Sequence, residues 1–192
     1  EIGDRCLVRA PFHAEREGVK YDIVISPKMS FGTGHHQTTR LMLDYLLDLN
    51  VAGASVLDVG TGTGVLAILC GLKGAQHITG IDIDPWSVEN AVENAERNGQ
   101  NEIEVLEGSM DRVSGRQFDV VLANINRNAL TEMMAAFSGV LREGGRLLIS
   151  GFYQEDLPSL QQKAAEHGLV YGSFRVSDLW TAAYFEKGVR PS

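Results

Sequence analysis

The sequence predicts an α/β fold: a doubly wound, mostly parallel seven-stranded sheet with a C-terminal antiparallel hairpin and a small N-terminal strand pair. Three observations carry this. From Ser55 onward, short β-branched apolar runs alternate with segments of helical period, the pattern of a parallel sheet covered on both faces. At one junction, Val56-Leu57-Asp58-Val59-Gly60-Thr61-Gly62-Thr63-Gly64-Val65-Leu66-Ala67, a strand passes through alternate glycines straight into a helix. Finally, the runs 170–176 and 182–187 are joined by a short loop containing Trp180, too short for a crossover, so at least one pairing there is antiparallel.

In chain order, 4–10 and 21–26 read as strands around the polar stretch 13–20, giving a small hairpin or two edge strands. Residues 27–39 form a loop with two glycines and many hydroxyl and imidazole groups, and a helix over about 38–49 presents Leu41, Leu43, Tyr45, Leu46, Leu47 and Leu49. The main strands are predicted at 55–59, 77–83, 102–107, 118–123 and 145–150, and the helices between and after them at 64–73, 85–98, 127–141 and 154–167. Pro85 suits a first helical turn, and Gly99 and Gly168 suit helix ends. Residues 188–192 read as a frayed tail.

The length, 192 residues, suits one domain with a full core. Functionally the expected division is 1–30, N-terminal strands and a linker remnant, and 31–192, the catalytic domain; the start at Glu1 rather than Met reads as a fragment or trimmed product. No apolar run approaches membrane-spanning length and no signal peptide is visible, so a cytoplasmic protein is expected. Lys and Arg total 17 against 25 Asp and Glu, a formal charge of −8, which disfavours independent nucleic-acid binding and favours solubility or a basic protein partner. Cys6 and Cys70 lie in apolar patterns without metal spacing and read as small core residues, and a monomer is expected.

The glycine spacing bears on the ligand. A dinucleotide fingerprint would place its third glycine at Val65, whereas here the glycines are Gly60, Gly62 and Gly64. This G-x-G-x-G form, preceded by Asp58, resembles the first motif of class I S-adenosylmethionine (SAM) methyltransferases. Asp82, at the end of the next strand, is placed to accept ribose hydroxyls. The plainer alternative is a tight strand-to-helix turn with an acidic residue capping the next helix. Either way, α-helical N–H groups near Gly64 are expected to face the same spot.

Ligands in such sheets lie beyond the carboxyl ends of the strands, where the winding reverses. That rim gathers Gly60, Gly62, Asp82, Ser109, Met110 and Asn124. Ser109 and Met110 are expected beside the adenine, with Met110 against the base; the alternative is an ordinary β-turn. Asn124 faces the point of methyl delivery, or else merely initiates a turn. Methyltransferases acting on planar nitrogens often follow this Asn or Asp with Pro-Pro-aromatic; Ile125-Asn126 here points to a tetrahedral amine. A lysine ammonium, with a pKa near ~10.4, must lose a proton before it can attack. No obligatory nucleophile is expected, and Asn124 is assigned as the positioner of the amine. The loop 31–39 is expected to act as a hinged lid over the cofactor, with a helix-capping loop as the alternative; the adjacent His35 and His36 lack metal spacing, and no metal is expected.

At this loop the resemblance narrows. Phe31-Gly32-Thr33-Gly34-His35-His36-Gln37-Thr38-Thr39, Leu57-Asp58-Val59-Gly60-Thr61-Gly62-Thr63-Gly64, Gly80-Ile81-Asp82-Ile83-Asp84-Pro85, Asn94-Ala95-Glu96-Arg97-Asn98-Gly99 and Ala123-Asn124-Ile125 resemble the PrmA family over nearly the whole chain from about Gly3. The resemblance implies a class I, Rossmann-like SAM-dependent methyltransferase. It also implies that the residues Thr39, Gly60, Asp82 and Asn124 bind S-adenosyl-L-methionine, that S-adenosyl-L-homocysteine is the product, and that the acceptors are the lysine ε-amines and N-terminal α-amine of large-subunit ribosomal protein L-eleven. Gln37 stands where the family commonly has Pro or Glu, and family members carry an N-terminal substrate-recognition domain joined by a linker, after which this sequence is expected to start. A methyltransferase for another protein or small amine, a non-catalytic SAM-binding module and an NAD-dependent oxidoreductase stay open as alternatives.

Overall fold

Unbroken β-branched and aliphatic runs need cover on both faces, and the helices on either side of the sheet supply it. The computed structural model describes residues 1–26 and 36–189. At the N-terminus β1 (Cys6–Arg9) and β2 (Tyr21–Val24) pair in parallel as a separate two-stranded sheet, Cys6 opposite Tyr21. The hairpin reading is thereby corrected: the polar segment between them carries the chain back so that both strands run the same way. Then follow α1 (His36–Asp48), β3 (Ser55–Val59), α2 (Val65–Leu72), β4 (His77–Asp82), α3 (Pro85–Arg97), β5 (Glu104–Glu107), β6 (Phe118–Asn124), α4 (Arg127–Val140), β7 (Leu141–Tyr153), α5 (Leu157–Glu166), β8 (Leu169–Ser177) and β9 (Trp180–Lys187). The main sheet is seven-stranded in the order β5-β4-β3-β6-β7-β9-β8, with β9 antiparallel to both neighbours. The chain winds outward from β3 to β5 and returns to β6, so the carboxyl ends of β3 and β6 flank the reversal point.

Side chains on adjacent strand positions point to opposite faces, and two cores result. Val56, Val120 and Leu122 pack with Met42, Leu46, Ile68 and Leu69 of α1 and α2, and Ile2, Cys6 and Ile23 of the N-terminal segment join that cluster. Leu57, Val59, Val121 and Ala123 face Leu130, Met134 and Phe137 of α4 and Leu160 of α5. Both cysteines are buried free thiols. Two lysines close helix ends: Lys73 Nζ donates to the carbonyls of Leu46, Leu47 and Leu49 at the end of α1, and Lys187 Nζ to those of Ser138 and Leu141 at the end of α4. Asp84 caps α3 by accepting from Trp86 N at 3.1 Å, with Pro85 in the first turn.

Most boundaries shift by one or two residues, as where the strand expected at 102–107 starts at Glu104, and three differ in kind. β7 starts at Leu141 rather than 145, because Leu141, the C-cap of α4, already pairs with Phe118; 142–145 then bulge before Arg146 meets Val120. The expected helix 154–167 divides into a 3-10 turn (Gln154–Asp156) and α5. Trp180 belongs to β9, not to a loop, since it pairs with both Ser177 and Tyr153. No helix among the described residues is long and apolar enough to cross a membrane.

Candidate active site

The glycine loop leaves β3 through three left-handed residues, Gly60 (φ 68°), Gly62 (φ 55°) and Gly64 (φ 82°). An L side chain is strained at each. Space adds a second constraint: a Cβ on Gly60 would sit 2.6 Å from Cγ2 of Ile125, and one on Gly64 3.3 Å from Ala91. Gly62 differs, for its Cβ would meet only Gly60 O, at 3.9 Å, so the space before it is open. The loop is tied to β4: Gly60 N and Thr61 N donate to Ile81 O at 2.9 and 3.0 Å, and Gly62 N donates to Asp82 Oδ2 at 2.9 Å. Asp84 N takes Oδ1 of the same carboxylate at 3.0 Å. Two N–H groups thus fix the plane of Asp82 and leave further lone pairs for a diol.

One expectation is corrected here. The first turn of α2 does not offer all its N–H groups outward, because Asp58 accepts from Ala67 N and, at 2.7 Å, from Thr61 Oγ1. The carboxyl of Asp58 is 1% exposed, and burial pushes its pKa up to about 7. The Thr61 bond opposes this rise, the nearby Asp82 charge adds to it, and the Ala67 N–H opposes it. Asp58 is an internal cap rather than a ligand-facing group.

Gly108 N donates to Asp82 O at 2.8 Å, which sets Ser109 and Met110 beside Asp82 on the rim. Ser109 precedes a 3-10 turn (Met110–Val113), and Met110 is partly buried against the core below. Sequence reasoning passed over Ile83, a 76% exposed apolar side chain directly after Asp82. An apolar residue at the open end of a buried strand was the available signal.

Across the reversal point Asn124 pairs with Ser150 of β7, and its Nδ2 donates to Thr39 Oγ1 at 3.4 Å. Two residues assigned from sequence, 85 positions apart, are therefore in contact. Ile125 is wedged between two glycines: Cγ2 abuts Gly60, and its carbonyl oxygen lies 2.0 Å from where a Cβ on Gly151 (φ 102°) would stand. Gly151 was not found from sequence; its signal was a glycine at the strand end opposite Asn124. Next along the chain from Asn124 lies a cleft of about 540 Å³ bordered by Asn126, Arg127, Gly151, Tyr153, Glu155, Asp156 and Trp180. The lid assigned to 31–39, and His35 within it, fall mostly outside the described residues; Thr39 falls inside. Among the described residues no three His, Cys, Asp or Glu side chains are grouped to hold a metal.

Sheet order, glycine loop and rim carboxylate together define the class I methyltransferase fold. The chain belongs to the ribosomal protein L11 methyltransferase (PrmA) family, whose model matches residues 1–188. It is 44% identical over 185 residues to the ribosomal protein L11 methyltransferase of Bacteroides fragilis, covering 96% of this chain and 66% of that one. Identity to the Porphyromonas gingivalis relative is 47%, covering 96% and 64%. The chain thus spans slightly under two thirds of the length of these curated relatives. A crystal structure of ribosomal protein L11 methylase from Lactobacillus delbrueckii subsp. bulgaricus superposes with a TM-score of 0.90 at 26% identity, covering 98% of this chain and 97% of that one. A Pyrococcus furiosus methyltransferase, at 20% identity, TM-score 0.71 and coverage of 87% and 90%, shares the fold.

Proposed function

We propose that this chain is the SAM-binding and methyl-transferring part of a protein N-methyltransferase, acting on lysine ε-amines and the N-terminal α-amine of ribosomal protein L11. The observation that carries the reading is the joining of Gly62 to Asp82, which places bare backbone and a diol-accepting carboxylate on one rim, with Asn124 across from them. The open space before Gly62 and the free lone pairs of Asp82 fit a nucleoside. Thr39, Gly60, Gly62, Asp82, Ser109, Met110 and Asn124 would hold the cofactor, with Ile83 and Met110 offering apolar surface to a base.

SAM supplies a methyl group already activated by its sulfonium sulfur. The chain's own residues then have to align and dehydrate the acceptor, and neither task calls for a protein nucleophile. Asn124 and the carbonyls beside it accept hydrogen bonds from an amine entering by the cleft, orienting its lone pair; the Glu155 carboxylate in the cleft wall draws in the ammonium, whose proton leaves to water through the open mouth before attack. The net charge of −8 suits a basic acceptor protein. In this reading residues 31–192 form the methyltransferase domain, residues 1–30 the N-terminal strands that buttress it, and a ribosomal acceptor sets the work in the cytoplasm.

Isothermal titration of SAM, S-adenosyl-L-homocysteine and NAD into the chain and its Asp82→Ala variant is the test. Heat from the first two ligands, abolished in the variant and absent with NAD, is expected; binding of NAD instead would overturn the cofactor assignment. Transfer of labelled methyl from SAM to purified ribosomal protein L11, lost when its amines are acetylated beforehand, tests the acceptor.

A further inference from the structure

The hairpin of β8 and β9 turns at Asp178-Leu179, and Asp178 has φ 55°. Among the described residues it is the one non-glycine at positive φ, a conformation aspartate tolerates better than most residues but still at a cost. Besides the pairing of Trp180 with Ser177 and Tyr153, two bonds reach the turn itself. Gln37 Nε2, in the first turn of α1, donates to Asp178 Oδ2 at 2.5 Å, and Gln154 N donates to Leu179 O at 3.3 Å. The next residue, Trp180, stacks on Tyr153 with ring centroids 4.6 Å apart and planes inclined by 35°. Both rings border the cleft next along the chain from Asn124.

Asp178 therefore joins two parts of the site. Gln37 stands two residues before Thr39, whose hydroxyl meets Asn124. Trp180 stands two residues after Asp178 and forms the aromatic wall of the cleft. The bodies of both elements are anchored elsewhere: Arg175 of β8 bonds Asp44 and Asp48 of α1, each at 2.6 Å, and Arg5 bonds the same two carboxylates. Sheet pairing with Ser177 and Tyr153 sets the backbone of Trp180, and the Asp178 bond ties the turn beside it to α1.

We propose that Asp178 is a positioning residue for the acceptor: by accepting from Gln37 it fixes the hairpin tip, and with it the ring of Trp180, as the wall past which the acceptor amine reaches Asn124. This rests on the reading of the cleft as the amine's entrance. The left-handed backbone and the side-chain bond are separable. Asp178→Gly keeps the backbone shape without strain and deletes the acceptor oxygen. Asp178→Asn keeps both an oxygen and the tolerance of the left-handed region.

The chain has two tryptophans, so in a Trp86→Phe parent Trp180 is the single tryptophan and can be excited selectively over the five tyrosines. Acrylamide quenching of Trp180 is expected to rise several-fold in Asp178→Gly and to stay at the parent's level in Asp178→Asn, with thermal midpoints showing all three folded. With SAM and purified ribosomal protein L11, Asp178→Gly is expected to raise the KM for the protein about tenfold, leaving kcat within about twofold and SAM affinity unchanged; Asp178→Asn restores the KM. Equal quenching in the parent and Asp178→Gly overturns the proposal, as does raised quenching beside an unmoved KM. A parent that binds SAM but methylates nothing overturns the acceptor reading, and with it the claim built on that reading.

Discussion

The side-chain amide of Asn94 donates to the carbonyl of Thr63 at 3.0 Å while its oxygen accepts from Ser26 N at 3.0 Å, so one fully buried residue ties the glycine loop to the end of the N-terminal strand pair. It has company on the same helix face. Asn98, one turn on, exchanges two bonds with the backbone of Val24, and Asn90, one turn back, donates to Ser26 O. Spaced four apart, the three amides give the end of β2 and the residues just after it the donors and acceptors that a neighbouring strand would.

Asn94→Asp removes the donor toward Thr63 and sets oxygen against oxygen where water cannot help. A loss of about 2–3 kcal/mol in unfolding free energy is expected from urea titration. SAM binding should weaken with it, since the carbonyl released belongs to the loop between Gly62 and Gly64. An Asn94→Asp chain as stable as the parent would mean that the link has no energetic weight.

Gly151 sets how near β7 can come to Ile125. In Gly151→Ala the new methyl would stand 2.0 Å from Ile125 O, and the left-handed φ of 102° adds strain, so the backbone carrying Asn124 has to move. Displacement of a positioning group by about 1 Å typically costs ~100-fold in turnover. That loss is expected in kcat for methyl transfer. Gly139→Ala is the matched control: no atom lies within 4 Å of its new methyl, it sits in α4, and a gain of about 0.5–1 kcal/mol in stability is expected.

Asp58 gives the chain a pH response of unusual sign for a carboxylate. Its folded pKa, about 7, lies above the unfolded value, so folding favours the protonated form. The stability it lends is complete below pH ~4 and is lost as pH rises to and through about 7. Asp58→Asn cannot ionise and should lack this fall. The difference in unfolding free energy between variant and parent is expected to grow in the variant's favour from pH 5 to pH 8, by about 2.6 kcal/mol. A difference constant with pH would show that Asp58 keeps an ordinary pKa inside the fold.

The parts legible in the sequence were those with short-range causes. Hydrophobic period marked the main strands and helices, and glycine spacing with Asp82 marked the rim. What escaped depended on partners distant in sequence. Whether β1 and β2 run parallel or antiparallel is a matter of where the intervening chain travels. Asp58 could be seen to precede the loop, but its role as an internal cap needs Thr61 and Ala67 in place around it. Gly151 carries meaning only once β7 lies against Ile125, and Asp178 only once the hairpin meets the first turn of α1. Asn124 and Thr39 could be assigned separately to the cofactor by resemblance, but their contact with each other could not be read from the sequence.

Asn124 tests how the amine is made ready. If its side-chain oxygen orients a neutral amine, Asn124→Ala should lower kcat by ~10²–10³-fold, in the range seen when a single positioning or stabilising donor is removed. Asn124→Asp tells more. It preserves an acceptor oxygen but sets a negative charge beside the nitrogen, which stabilises the ammonium form and raises the acceptor's pKa. The rate should then rise with pH over a window displaced upward from that of the parent, and the two chains should converge at high pH, where both acceptors are neutral. A pH–rate profile of each, with ribosomal protein L11 as acceptor and SAM saturating, separates the outcomes. If Asn124→Asp lowers the rate by the same factor at every pH, the residue acts through geometry alone, and the cleft rather than Asn124 sets the protonation of the amine.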